Sequence, residues 1–332
     1  MRVLITGGAG FIGSHLADFL LREHHQVTVL DDLSTGSTDN IAQHLGHPGF
    51  AFHCDTIFHR ELLASLIEDS DLVYHLAASV GVKRIIESPV ETIETNVAGT
   101  ELVLRLAAER ARRIVLASTS EVYGKSTHLP FREDGDLVLG ATTHSRWSYA
   151  CSKAIDEFLA LAWHGQCGLP VTIARLFNTV GPRQSGRYGM VLPTFVGQAL
   201  RGEPITVYGS GEQSRCFTHV FDIVEGLTAL VAHDSTIGET YNLGSTSEIT
   251  INQLAQLVLE ATGSGSHVVH VPYAEAYAPG FEDMQRRQPD IAKARAAFNF
   301  QPRRTLHQIL ADIISDVRNR LECCSSEVAP NS

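Results

Sequence analysis

The segment SYACSK, Ser148 to Lys153, sets a tyrosine and a lysine at i and i+4. On a helix Tyr149 and Lys153 share one face, and an ammonium beside a phenol favours the phenolate, which suits a general base for a hydroxyl group. Such pairs are common on helix surfaces, so this one gains meaning only from its surroundings. Upstream, LASTSEVYG (Leu116–Gly124) reads as an apolar strand that stops in Thr119, Ser120 and Glu121. A carboxylate at the mouth of a buried strand is either a solvated loop acid or a group that faces a ligand.

The start of the chain offers the ligand. LITGGAGFIGSHL places Gly7, Gly10 and Gly13 between a strand and a helix. Such a turn lets the backbone approach a pyrophosphate, and the helix N-terminus adds N–H groups and a positive dipole. The spacing G-x-x-G-x-x-G is one residue off the dinucleotide fingerprint and says little alone. The second strand ends VTVLDD, however, which puts Asp31 where an acid bonds the ribose hydroxyls. That acid would repel a 2′-phosphate and no Arg follows it, so the pattern favours NAD over NADP. Asp55, after the third strand, either receives the adenine edge or caps a helix.

These residues need a scaffold, and the pattern supplies one. Short β-branched runs near Val3–Thr6, Val27–Leu30, Ala51–His53, Leu72–Leu76, Ile114–Ser118 and Val171–Arg175 alternate with helical patterns near Ile12–Glu23, Glu61–Ile67, Ile93–Ala108 and Tyr149–His164. The expected fold is α/β: a Rossmann-type, doubly wound parallel sheet with a smaller C-terminal α/β substrate lobe. The expected division is a dinucleotide domain over 1–178, to which 214–245 returns, a lobe over 179–321 and a disordered tail over 322–332.

Composition narrows the function classes. A chain of 332 residues with 44% hydrophobic content can bury a large core, and its net charge of −11 disfavours nucleic acid or an anionic membrane as partner. No apolar run reaches membrane-spanning length and no export signal is readable at the N-terminus, so a cytoplasmic protein is expected. The six cysteines form neither a disulfide framework nor zinc pairs, and the sixteen histidines lack ligand spacing, so no metal is expected.

Taken together, TGGAGFIG, HLAA, TSEVYG, YACSK, FNTVGPR and RCFTHV resemble the extended short-chain dehydrogenase/reductase family, in its nucleotide-sugar epimerase, dehydratase and decarboxylase group, from Met1 to about Arg320. The resemblance implies an NAD enzyme that transiently oxidises C4 of a UDP-sugar, with Thr119, Tyr149 and Lys153 as its triad. It implies cofactor contacts from Gly7, Gly10, Phe11, Ile12, Gly13, Asp31, Asp55, Leu76, Ala77, Ala78, Asn96, Tyr149 and Lys153, with Asn96 also ordering the site. It places Asn178, Arg215 and Arg287 on the diphosphate or sugar, where an Arg fork suits phosphate or carboxylate, with Arg183 a weaker candidate. It also implies a homodimer through the helices near Ile93–Ala108 and Tyr149–His164.

Three reactions compete once C4 is a ketone. Dehydration needs an acid and a base, and dehydratases of the family carry Asp-Glu after the Thr, where this chain has Ser120-Glu121. Epimerisation needs neither. Decarboxylation uses a 5-carboxylate beside the 4-ketone, and UDP-glucuronate decarboxylases are similar to this chain in Thr-Ser-Glu and in the Arg of RRQPDI, Arg287. Glu121 would then position the sugar or handle a proton, Ser120 would bond near the carboxylate, and Arg287 would recognise the anion. Decarboxylation of UDP-glucuronate to UDP-xylose is the first expectation, with 4-epimerisation and 4,6-dehydration as alternatives and a non-catalytic NAD- or sugar-nucleotide-binding regulator as a further class. RWSYAC is also similar to UDP-apiose/UDP-xylose synthase, which would set Cys151 near the sugar, but that enzyme type has a second Cys where this chain has Ser120, and a packed helix thiol is the simpler reading of Cys151. The segment AASVGVKRIIESP departs from the Pro-rich stretch of many decarboxylases.

Overall fold

In strand β1 (Arg2–Thr6) every residue after Arg2 is buried, as a strand covered on both faces requires. The computed structural model describes residues 1–79, 88–186, 190–276 and 284–327. Along the chain β1 is followed by α1 (Phe11–Arg22), β2 (Gln26–Asp31), β3 (Phe50–Cys54), α2 (Arg60–Glu68), β4 (Leu72–His75), α3 (Pro89–Glu109), β5 (Arg113–Thr119), α4 (Arg146–Cys167) and β6 (Val171–Leu176). Next come β7 (Thr179–Val180), α5 (Val191–Leu200), β8 (Ile205–Tyr208), β9 (Ser214–Cys216), β10 (Thr218–His219), α6 (Val220–Val231), β11 (Thr240–Leu243) and β12 (Glu248–Thr250). The described chain ends with α7 (Ile251–Thr262), β13 (Val268–Val271), α8 (Ala292–Phe298) and α9 (Leu306–Glu327).

The central sheet has seven strands in the order β11-β6-β5-β4-β1-β2-β3, all parallel. Successive strand residues face opposite sides, which sorts the core into two layers. Val3, Ile5, Val27, Val29 and Tyr74 pack on α1, α6 and α8. Leu4, Leu30, Val73, Ile114 and Ile173 pack on α2, α3 and α4. The strand order reverses between β1 and β4, and in such sheets ligands bind beyond the carboxyl ends of the strands at that point.

A second apolar cluster, including Leu192, Phe195, Leu254, Val258, Leu310 and Ile313, joins α5, α7 and α9 to the β8/β13 pair and forms the lobe. Strand β11 lies in the central sheet although it follows the first lobe strands, a return that the six-strand sequence pattern did not resolve into an element. Helix α3 begins at Pro89, four residues before the expected start, with Pro in the first turn where its missing N–H costs nothing. Helix α9 runs through Glu327, so the tail expected over 322–332 is helical in its first part, and 328–332 lie outside the described residues.

The mouth of β5 is held from behind by a buried polar network. Arg175 on β6 forks onto Glu157 of α4, Nε to Oε1 at 3.0 Å and Nη2 to Oε2 at 2.7 Å. Ser118 donates to Glu157, Arg175 Nη1 donates to the Tyr123 hydroxyl at 2.8 Å, and Tyr123 donates to Asn242 Oδ1 at 2.7 Å. Burial disfavours the Arg175 charge, but the hydrogen bonds and charge of Glu157 outweigh it and hold the guanidinium above its usual range. Removing one partner of such a pair strands the other in the interior. Glu157→Gln should therefore lower unfolding free energy by about 3–5 kcal/mol in a urea titration; an unchanged midpoint and slope would show that the network does not carry the strand mouth.

Candidate active site

A crevice of about 980 Å³ opens beyond the carboxyl ends of β1 and β4 and runs to the lobe. Its floor is the glycine turn. Gly7 has φ +74°, and a Cβ there would lie 2.7 Å from the Ala77 nitrogen. A Cβ on Gly13 would lie 2.3 Å from the Gly7 oxygen, so the turn and α1 meet only because Gly13 has no side chain. Gly10 is the N-cap of α1 and no side chain caps that end, which leaves first-turn N–H groups for an anion. Phe11, Ile12, Leu76, Ala77 and Ala78 line the same floor.

Asp31 ends β2 on the crevice wall. Its Oδ2 accepts from Ala9 N at 2.9 Å and its Oδ1 from Leu33 N at 2.8 Å, tying the glycine turn to β2. Burial raises its pKa, and these N–H donors oppose the rise. Asp55 also lines the crevice and accepts from His59 Nδ1 and Thr56 N, each at 2.7 Å. The His59 bond chiefly holds it below the usual carboxylate range, and His59, not Asp55, stands at the N-cap of α2. The turn, the dipole and the ribose-side acid together fit a dinucleotide.

Asn96 is placed differently from a cofactor contact. It is buried behind the lining, where its Oδ1 accepts from Ser79 N at 2.8 Å and its Nδ2 donates to Ser152 Oγ at 3.2 Å. It fixes the backbone after β4 to α4, which carries Tyr149 and Lys153, both on the crevice wall. Lys153 is 2% exposed, and its Nζ donates to Asp156 Oδ2 at 2.8 Å. Asp156 escaped the sequence reading, although its place one turn after Lys153 on the same helix face was the available signal.

At the mouth of β5, Thr119 caps a short 3₁₀ turn over Ser120–Tyr123, its Oγ1 accepting from Glu121 N at 3.2 Å. Thr119, Ser120 and Glu121 all line the crevice. Glu121 is not a solvated acid: it is 9% exposed and its Oε1 lies 2.7 Å from Nη1 of Arg287, itself 7% exposed. This ion pair spans the crevice from the sheet to the lobe.

On the lobe side, Asn178 and Arg215 line the crevice; Asn178 Nδ2 donates to Cys216 O at 3.1 Å and Arg215 Nη1 to Ser214 O at 2.7 Å. Tyr208, Phe217 and Tyr273 also line it, aromatic residues that no spacing in the sequence announces. Arg183 does not join them: it pairs with Asp18 of α1 at 2.9 Å and braces the turn that leaves the sheet. Cys151 is exposed and lies outside the lining, so it is neither a packed helix thiol nor a residue of the crevice. In the segment AASVGVKRIIESP, residues 80–87 lie outside the described residues. Among the described residues there is no metal-holding cluster of His, Cys, Asp or Glu, and no helix long and apolar enough to cross a membrane.

Comparison with known proteins extends this geometry. Residues 4–313 match the GDP-mannose 4,6-dehydratase family. A UDP-N-acetyl-α-D-glucosaminuronate decarboxylase of Bacillus cytotoxicus is 43% identical over 94% of this chain and 96% of its own length. UDP-glucuronic acid decarboxylase 1 of Xenopus tropicalis is 39% identical over 97% of this chain and 73% of its own. Among solved structures, the UDP-glucuronic acid 4-epimerase of Bacillus cereus, in complex with UDP-glucuronic acid and NAD, superposes with a TM-score of 0.87 at 27% identity, covering 96% of this chain and all of that one. The fold, the dinucleotide turn and the match along nearly the whole length place the chain in the GDP-mannose 4,6-dehydratase family of extended short-chain dehydrogenase/reductases.

Proposed function

We propose that the protein is an NAD-dependent UDP-uronate decarboxylase that converts UDP-glucuronate to UDP-xylose and carbon dioxide. The observation that carries this reading is the Glu121–Arg287 pair, 2.7 Å apart in the crevice. A buried guanidinium beside the sugar site suits a substrate whose 5-substituent is a carboxylate, because its fork can take a carboxylate bidentately. The decarboxylases among the relatives, at 39–43% identity, support the same choice.

Bound between the central sheet and the lobe of α5, α7 and α9, the substrate would place its pyrophosphate near Arg215 and Asn178. Tyr149 takes the proton of the C4 hydroxyl, and Lys153 supports the phenolate. The glycine turn and Asp31 would hold NAD, which would supply the reversible oxidation of C4. With a ketone at C4, the C5–C6 bond breaks, its electron pair passes into the C4–C5 enolate, and C6 leaves as carbon dioxide. Thr119 and Ser120, which line the crevice, would bond the sugar oxygens, and Arg287 would hold the carboxylate until it leaves. C5 takes up one proton and Tyr149 returns its proton to O4, so the net reaction consumes one proton and releases one carbon dioxide.

A homodimer is part of the proposal. Helices α3 and α4 pack together and expose Ile93, Ile155, Phe158 and Leu161, with Phe158 70% accessible, on the side away from the sheet. A second copy in the same arrangement would cover these residues as a four-helix bundle. A cytoplasmic location fits the scattered cysteines; none of the four described ones forms a disulfide.

With UDP-glucuronate and NAD, the purified protein should release carbon dioxide and form a product of UDP-pentose mass; a product that is only the 4-epimer would overturn decarboxylation. Tyr149→Phe should lower kcat by about a hundredfold or more while NAD remains bound, and near-normal turnover would remove Tyr149 as the base. In sedimentation velocity, Phe158→Asp should convert the dimer to monomer. Wild-type protein that is already monomeric at micromolar concentration would exclude the bundle.

A further inference from the structure

Lys153 is held by a buried chain of polar groups that reaches back to the glycine turn. Thr6, the last residue of β1 before Gly7, bonds His75 Nδ1 through Oγ1 at 2.7 Å. On the other side of the ring, His75 Nε2 bonds Thr100 Oγ1 of α3 at 3.1 Å. The Thr100 hydroxyl in turn faces the carboxylate of Asp156, although Oδ1 has no hydrogen bond of good geometry. Asp156 Oδ2 then accepts from Lys153 Nζ at 2.8 Å. Thr6, His75, Thr100, Asp156 and Lys153 are each no more than 2% exposed.

Resting on the reading of Tyr149 as the base, we propose that Asp156 is a positioning residue for Lys153: its carboxylate pins the buried ammonium on the crevice wall, and its negative charge restrains proton loss from the Tyr149–Lys153 pair. Geometry leaves Asp156 as the counterion of this lysine. Glu157, its neighbour on α4, is taken by Arg175 and Ser118. His75, facing from β4, is neutral, because burial and the nearby Lys153 charge push it down to about 3. Thr100, facing from α3, carries no charge. Within the crevice itself, Glu121 is paired with Arg287.

The direction of the effect follows from charge alone. The Tyr149–Lys153 pair becomes an active base by losing one proton, whichever of its two groups gives it up. A carboxylate beside the pair favours the protonated form, so replacing it by a neutral group must lower the pH of that loss. Burial disfavours ionisation of Asp156, and the Lys153 charge and hydrogen bond oppose that cost. An isolated lysine in this position would be desolvated with nothing to hold its charge.

The test is the pH profile of kcat/KM for UDP-glucuronate turnover at saturating NAD, measured for wild type, Asp156→Asn and Asp156→Glu, with Tyr149→Phe alongside. Asp156→Asn should move the acid limb to lower pH by about one unit, and Asp156→Glu should restore it to the wild-type position. An acid limb that stays in place in an Asp156→Asn protein that still binds NAD would overturn the proposal. Should the Asn variant fail to fold, Asp156→Ser removes the same charge with a smaller polar group and is read by the same criterion. If Tyr149→Phe turns over normally, both the base assignment and the role of Asp156 fall. If it is inactive and the limb is unmoved, Asp156 alone is wrong.

Discussion

An ionised side chain taken out of water must meet an opposite charge or lose several kcal/mol, and this constraint sets the layout of the whole crevice. Three buried pairs stand in sequence behind and across it. Arg175–Glu157 lies beneath the mouth of β5, Lys153–Asp156 lies inside α4, and Arg287–Glu121 closes the gap between sheet and lobe. Each pair joins two positions that the chemistry needs in register. The first fixes α4 to β6, the second fixes the lysine side chain on α4, and the third fixes the lobe to the strand mouth. A change in any one of them would shift groups that, on the proposed reading, meet the same sugar ring.

The glycine turn imposes a second, steric constraint that acts with the first. Gly13 must lack a Cβ for α1 to start against Gly7, and Gly7 must lack one for Ala77 to approach. Because Ala77 follows β4 closely, this contact brings the end of β4 beside the turn, and Thr6 beside His75. The same close approach that would admit a pyrophosphate therefore builds the first link of the polar chain to Lys153. The glycine floor and the helix that carries Tyr149 and Lys153 are thus parts of one packed unit.

Much of this was legible in the sequence because it rests on local rules. The alternation of β-branched runs and helical patterns gave the parallel sheet, and the glycines with Asp31 gave the floor, since turn geometry and the distance to the second strand's end are set by near neighbours. Tyr149 and Lys153 were readable from helical spacing. What escaped was nonlocal or depended on burial. Strand β11 lies in the 214–245 stretch expected to return to the sheet, but it is short and reaches the sheet only after a passage through the lobe, so it was not read as a strand. Asn96 read as a cofactor neighbour, yet it acts one layer back, through Ser79 and Ser152. Asp156 went unremarked, and only the packing of α3 and β4 over it turns it into a lysine's counterion. Cys151 sits two residues after the tyrosine, and helical rotation alone carries it to the exposed face.

The acid at the strand mouth is best understood through its partner. With Arg287 already balanced by Glu121, a substrate with a neutral group at C5 offers the guanidinium nothing it lacks. A uronate carboxylate would have to share that one cation with Glu121, and two carboxylates on a single guanidinium repel each other. That repulsion raises the bound substrate's energy at the carboxylate and is absent once C6 has departed as a neutral molecule. An interaction that weighs on the ground state and vanishes along the reaction lowers the barrier to that step. On the proposed reading, the ion pair that closes the crevice at rest thus becomes, with substrate present, a reason for the carbon–carbon bond to break.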